Sequence, residues 1–325
     1  MLSAKQIEKI MCTLHDNFSI RSRPEITIEC NPNSLTEAKL RAYKKLGINR
    51  LSIGIQSHDT VILKMLGRTH SSEGAIKSLR MASKYFNNIN IDFIYNVPIP
   101  RDFSQANLKR DIEGEINFIL NSAPDVTHVS AYALIIEPGT QIARRVDYEE
   151  LYELDEDSCI DEELALHFTL RDHGFKRYEV SNWARPGFEC QHNKNYWSAD
   201  TEYLGLGVAA SGMFDNTRYE NTDDLNLYLL SQNKVKSTIR RTTHDTINEM
   251  IMLGLRTKRG IDLGRLNAYG VNLLLEKSRE ILELSNMKII KVTDKKISAT
   301  QDGFFILNLI IQKLTLDVKE LGVRG

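Results

Sequence analysis

The sequence predicts an α/β fold: a parallel sheet or barrel in the first half, then a helical, winged-helix-like domain. Three observations carry this prediction. Between Glu25 and Pro98 an apolar run, a turn and a helical pattern recur, in EITIECNPNSLTEAKLRAYKKLGI, NRLSIGIQSHDTVILKMLGRTH and NINIDFIYNVP. Strands alternating with helices at this pitch pair in parallel through right-handed crossovers. Each apolar run also ends on or near a polar residue, and the C-terminal stretch reads as helices, an alternating hairpin and a last helix.

The elements follow in order. Met1 opens an amphipathic helix, and Ser3 with Gln6 has capping-box spacing, as does Ser34 with Glu37. Gly47 and Gly67 follow periodic apolar stretches, where a left-handed residue ends a helix. A helix is expected from about Ser71 to Tyr85, then the strand NINIDFIY, a polar loop after Pro98 and Pro100, and a helix near Asn107–Asn121. The strand HVSAYALIIEPGT closes in a Pro-Gly turn. Asp147–Glu163 carries ten acids and no Lys or Arg, which reads as a solvated helix face running into a helix that ends near His173-Gly174. Thr246–Tyr269 predicts a helix pair, followed by a helix to about Ser285. KIIKVTDKKISAT predicts a two-stranded wing, and Asp302-Gly303 precedes the last helix. The chain opens on a helix with no strand before it, so the first sheet edge is expected to lack a partner.

Composition excludes several classes. At 42% apolar and 26% charged, the chain is that of a globular protein. No apolar run is long enough to span a membrane, and the start lacks the pattern of a secretory signal. The four cysteines, Cys12, Cys30, Cys159 and Cys190, show no C-x-x-C spacing and fit a reducing cytoplasm. Net charge is −1, with basic residues in excess after Lys236, which leaves a nucleic-acid-contacting tail as a minor reading beside a solvated surface. No phosphate loop, dinucleotide fingerprint or Ser-His-Asp signature is present.

Two groups of residues could carry chemistry. Glu29, Gln56 and Asp92 sit at or near the C-terminal ends of Ile26–Ile28, Leu51–Ile55 and Ile89–Ile91, the side on which parallel α/β folds bind ligands. Glu29 and Asp92 can accept from ribose hydroxyls or an ammonium group. Gln56 can donate and accept, and Arg68 can clamp a carboxylate, unless it forms a structural ion pair with Glu29. His70 beside Arg68 supports it. The second group is YEVSNWARPGFECQHNKNYW, in which aromatics surround His192. That histidine is either a haem-iron ligand or a satisfied core residue. The small residues of Asp200–Gly212 suit close backbone approach to a ligand.

Taken together, ITIECNP, RLSIGIQS, LGRTH, NIDFIYNVP, SAYALIIEPGT, YEVSNWARPG, HNKNYW and YLGLG closely resemble the HemN/HemW branch of the radical S-adenosylmethionine proteins over nearly the whole chain. EMIMLGLRTKRGIDL and TQDGFFILNLI resemble its C-terminal domain. HNKNYW and SAYALIIEPGT are more like the haem-chaperone side of that branch than the oxygen-independent coproporphyrinogen III oxidase side. The resemblance implies a (β/α)6-type barrel and S-adenosylmethionine held by Glu29, Gln56, Arg68 and Asp92, with Ile135 near the adenine. It also implies haem at His192, supported by Tyr196, and delivery of haem to an acceptor protein in the cytoplasm.

The family's Cys-x3-Cys-x2-Cys loop for a [4Fe–4S] cluster, and its Gly-Gly-Gly-Thr-Pro strand end, do not occur here. The expectation is therefore a partial barrel lacking its first βα units and inactive in radical chemistry as written. The oxidase is the alternative, with its cluster loop upstream. Ser211-Gly212 stands where many relatives carry His-Ser. The expected domains are the partial barrel over residues 1–175, a linking segment over 176–235 and a HemN-type domain over 236–325.

Overall fold

The computed structural model of the chain describes residues 2–101 and 110–317. The chain divides into two compact units, Met1–Glu189 and Cys190–Gly325.

The strands of the first unit are β1 (Thr27–Cys30), β2 (Arg50–Gln56), β3 (Ile89–Tyr95), β4 (Ile99–Pro100), β5 (His128–Ala133), β6 (Leu151–Tyr152), β7 (Lys176–Glu179) and β8 (Asn182–Ala184). Six of them form one sheet in the order β1-β2-β3-β5-β8-β7. The first four are parallel, and β8 and β7 add an antiparallel hairpin to the β5 edge. Tyr178-Glu179 and Asn182–Ala184 of YEVSNWARPG therefore belong to the sheet. β4 and β6 make a separate two-residue ladder.

Period-two alternation sorts the sheet's side chains. Leu51, Ile53, Ile55, Ile89, Ile91, Phe93, Val129 and Ala131 are buried in the hydrophobic core, which also takes residues of helices Glu37–Lys45, Ser72–Ser83, Ile112–Ser122 and Glu156–Asp172. The intervening residues Arg50, Ser52, Asn90, Asp92, His128 and Ser130 share the other, polar face. β1 pairs with β2 on one side, and no other strand among the described residues pairs with it.

Helix Ala4–Asn17 carries the expected Ser3–Gln6 capping box, and Gly47, Gly67 and Gly174 take positive φ at helix ends. The second capping box does not form. Thr36, not Ser34, caps Glu37–Lys45 by accepting from Lys39 N, while the Ser34 hydroxyl donates to Asn31 O within a 3-10 turn. The Pro at the start of PNS favours that turn and moves the cap on by two residues. Of the expected Asn107–Asn121 helix, Ile112–Ser122 is helical, and 107–109 lie outside the described residues.

The acidic run also departs from a simple solvated face. Asp155 caps Glu156–Asp172 through Ser158 N, whereas Glu162 turns inward to accept from Asn96 N at 2.6 Å and Glu163 pairs with buried Arg177 at 2.9 Å. A 17-residue helix buries one side whatever its charge, so acids on that side must find donors.

The second unit contains β9 (Ser211–Phe214), β10 (Thr217–Asn221) and β11 (Val235–Arg240) in one antiparallel sheet, and β12 (Ile261–Asp262), β13 (Ile290–Val292) and β14 (Lys296–Ala299) in another. Helices Thr243–Leu255, Leu263–Ala268, Ser278–Asn286 and Leu307–Leu314 surround the second sheet's sequence. The predicted wing is β13–β14, with β12 as a third strand. Asn248 clamps Leu316 by donating to its carbonyl and accepting from its amide, each at 2.9 Å. Gly205 and Gly212 allow close packing around the β9–β10 ladder: a Cβ on them would stand 2.2 Å from Ser211 O and 2.3 Å from the Tyr219 ring.

Candidate functional site

Glu29, Gln56, Arg68, Asp92 and Ile135 line one open cavity of about 410 Å³, together with Ile94, Tyr132, Ala133 and Leu134. Parallel pairing brings them there. Register sets Glu29 beside Ser52 and Gly54 beside Asp92, and β5 runs out toward Leu134 and Ile135. Gln56 ends β2 at a bulge with φ 69°, which turns its amide into the cavity. Gly54 leaves room for that amide, since a Cβ there would stand 2.8 Å from the Gln56 side-chain nitrogen and displace it.

Arg68 follows the left-handed Gly67, and its amide donates to Leu63 O at 2.8 Å. The buried His70 ring bonds Ile55 O at 3.0 Å, tying this loop to β2. Arg68 makes no ion pair with Glu29. Its Nε is buried without a hydrogen-bond partner, an orphan donor at the cavity. A buried guanidinium N–H without an acceptor is costly, so the site favours an anionic group on a ligand.

Asp92 is held from the protein side. Ser52 Oγ donates to it at 3.1 Å and Asn90 Nδ2 at 2.8 Å. Burial raises its carboxyl pKa above the ordinary value, and these two hydrogen bonds partly oppose that shift. The network continues across the sheet. His128 Nδ1 donates to Asn90 Oδ1 at 2.5 Å, Nε2 accepts from the Tyr178 hydroxyl at 2.8 Å, and Ser130 Oγ donates to Asn182 Oδ1 at 2.6 Å. Burial, reinforced by Arg50, drives the His128 pKa well below the usual histidine range, so it is a neutral hinge of the network. These supporting residues escaped the sequence reading. Their signal was the polar alternation in NINID and HVSAY, where an apolar sheet face would place aliphatics.

The cysteines do not fit a [4Fe–4S] cluster. Cys12 lies on helix Ala4–Asn17, Cys30 ends β1, Cys159 lies on Glu156–Asp172, and Cys190 precedes helix Gln191–Tyr196. Burial pushes the Cys30 thiol up to about 11.

In the second unit, His192 and Tyr196 stand one turn apart on the exposed helix Gln191–Tyr196, with ring centroids 5.1 Å apart. Tyr196 continues onto Tyr203 at 4.6 Å. The aromatic cluster read from the sequence is divided. Trp183 is fully buried in the first unit, where its indole N–H donates to His167 Nδ1 at 3.2 Å, and Tyr178 belongs to the His128 network. Both lie on the hairpin β7–β8, so they are committed to the sheet.

Residues 2–102 match the Radical SAM superfamily and residues 242–306 the HemN C-terminal domain. The chain is 31% identical over 98% of its length to the Heme chaperone HemW of Lactococcus lactis, of which it covers 82%. It is 29% identical over 94% of its length to the Heme chaperone HemW of Bacillus subtilis, covering 80%. Against the mitochondrial Radical S-adenosyl methionine domain-containing protein 1 of Bos taurus the figures are 29% identity, 91% and 69%. The structure of coproporphyrinogen III oxidase (HemN) from Escherichia coli superposes with a TM-score of 0.77 over 97% of this chain and 75% of that one, at 20% identity, a likeness of fold. By this similarity over nearly its whole length, the chain belongs to the HemN/HemW family of radical S-adenosylmethionine proteins.

Proposed function

We propose that this protein is a haem chaperone that binds haem near His192 and passes it to an acceptor protein in the cytoplasm. Similarity to the Heme chaperone HemW along nearly the whole chain carries the reading. The exposed His192–Tyr196 pair supports it, since an imidazole on the surface can take and release an iron that a core histidine could not. Among the described residues no helix is long and apolar enough to cross a membrane.

The cavity of the first unit would hold S-adenosylmethionine. Arg68 would take the carboxylate, Glu29 and Asp92 the ribose hydroxyls or the ammonium group, and Ile135 would pack near the adenine. Gln56 supplies both a donor and an acceptor. The oxidase alternative needs a cluster to reduce the sulfonium, with ligands other than the four cysteines described above.

Titration of the purified chain with hemin tests the chaperone reading. A Soret shift is expected, and His192→Ala should weaken it by roughly tenfold or more. An unchanged titration in the variant would remove His192 from the site. Anaerobic turnover of coproporphyrinogen by a full-length, cluster-reconstituted form would favour the oxidase instead.

A further inference from the structure

The second unit contains a cavity of about 660 Å³ to which the proposed function gives no occupant. That size lies within the range of roughly 300–1,000 Å³ usual for cofactor sites. Trp197, just past the His192 helix, forms part of its lining, with Met250, Leu253 and Gly254 from helix Thr243–Leu255. These give an aromatic and aliphatic wall. The Arg256 guanidinium lies 5.7 Å from the Trp197 ring centroid, which steadies the indole.

Another part of the lining is cationic. Arg259 follows the same helix, in a turn closed by Gly260 N donating to Thr257 O at 3.1 Å, and Lys295 and Lys296 come from the β13–β14 hairpin. Among the described residues, none of these three cations forms an ion pair. Arg265, which also lines the cavity, differs in being paired with Asp200. Asp262 and Asp294 line the cavity too. Gly260 lets the turn pass close to the hairpin: its φ is +77° and a Cβ would meet Ile297 O at 2.3 Å. The cations are thus set beside the apolar wall by backbone packing.

An apolar wall next to cations that form no ion pair, of which the Lys296 ammonium donates to Lys258 O at 3.4 Å, is complementary to a flat apolar ligand with carboxylates on one edge. We propose that this cavity receives the porphyrin itself, its propionates gripped by Arg259, Lys295 and Lys296 and its macrocycle laid against Trp197 and Leu253. The inference rests on the haem reading above and deepens it, since it assigns propionate recognition to the HemN C-terminal domain, independently of iron ligation at His192.

Three porphyrins separate the two claims: hemin, iron-free protoporphyrin IX and hemin dimethyl ester, each titrated into the full chain by tryptophan fluorescence quenching and Soret absorbance. Propionate recognition predicts that protoporphyrin IX binds within a few-fold of hemin, while the ester binds about tenfold or more weakly. The variant Lys295→Glu/Lys296→Glu should weaken both acids to a similar extent and leave the ester unaffected. His192→Ala should affect hemin more than protoporphyrin IX. If hemin binds but the ester binds equally well to the wild-type chain, or the double variant binds hemin normally, the cavity assignment is wrong and the haem reading stands. If the wild-type chain binds no hemin, the haem reading itself fails and the cavity assignment with it.

Discussion

The two candidate sites of this molecule are built in opposite ways. In the first unit, Glu29, Gln56, Arg68 and Asp92 come from neighbouring parallel strands and the loop beside them, and Asp92 is fixed from behind by Ser52 and Asn90. In the second unit, His192 and Tyr196 sit exposed on one short helix. A site held by a buried hydrogen-bond network is pre-organised for one ligand in one pose. A site on an exposed turn is open to a second protein. The contrast teaches that a buried network fixes the groups of one candidate site, while exposure leaves those of the other open to a second molecule.

The two tryptophans sharpen the contrast most. Trp183 is fully buried, stacks under the Arg177 guanidinium at 4.8 Å and donates to His167, whereas Trp197 is only half-buried beside a cavity. Trp183→Ala should cost the first unit about 3–5 kcal/mol in denaturant unfolding. A loss below about 1 kcal/mol would show that the β7–β8 hairpin is not part of that core.

A smaller effect is expected from acid. Folded His128 stays neutral because burial and Arg50 depress its pKa. The unfolded chain takes up that proton near its ordinary value of 6.5, so this stability is complete above that value and is lost as pH falls below it. The expected loss is up to about 1.4 kcal/mol per pH unit. His128→Gln should flatten that slope, and an equally steep slope in the variant would remove His128 as its source.

The smallest effect concerns Asp92. Its folded pKa is raised, so a buried negative charge opposes folding at neutral pH, and the folded state gains stability as the group is protonated in acid. Asp92→Asn should therefore be as stable as the wild type or slightly more so at neutral pH, with the difference vanishing as pH falls into the carboxylate range. It should still lose affinity for S-adenosylmethionine. A large loss of stability would make Asp92 a structural residue instead.

Much of the first unit was legible in the sequence, because parallel strands put successive strand ends on one side and each end carried a polar residue in an apolar run. Glu29, Gln56, Arg68, Asp92 and Ile135 share a cavity for that reason. The polar layer beneath was not legible, since Asn90, His128 and Tyr178 come from three separate strands and only the pairing of β3, β5, β8 and β7 unites them. The aromatic segment misled for a similar reason: sequence proximity joined Trp183 to His192, while hairpin pairing buried one and left the other at the surface. Glu162 and Glu163 show the same limit, because charge counts along a helix do not reveal which side meets Arg177 or the Asn96 amide.

Equilibrium titration of S-adenosylmethionine into the wild-type chain and into Arg68→Ala is the most direct test of how the first unit works. Binding by the wild type and a loss of about 10–100-fold in the variant are expected, the size of a charge-assisted hydrogen bond to a carboxylate. Binding that is absent in the wild type, or equally tight in both, would contradict the assignment of the cavity.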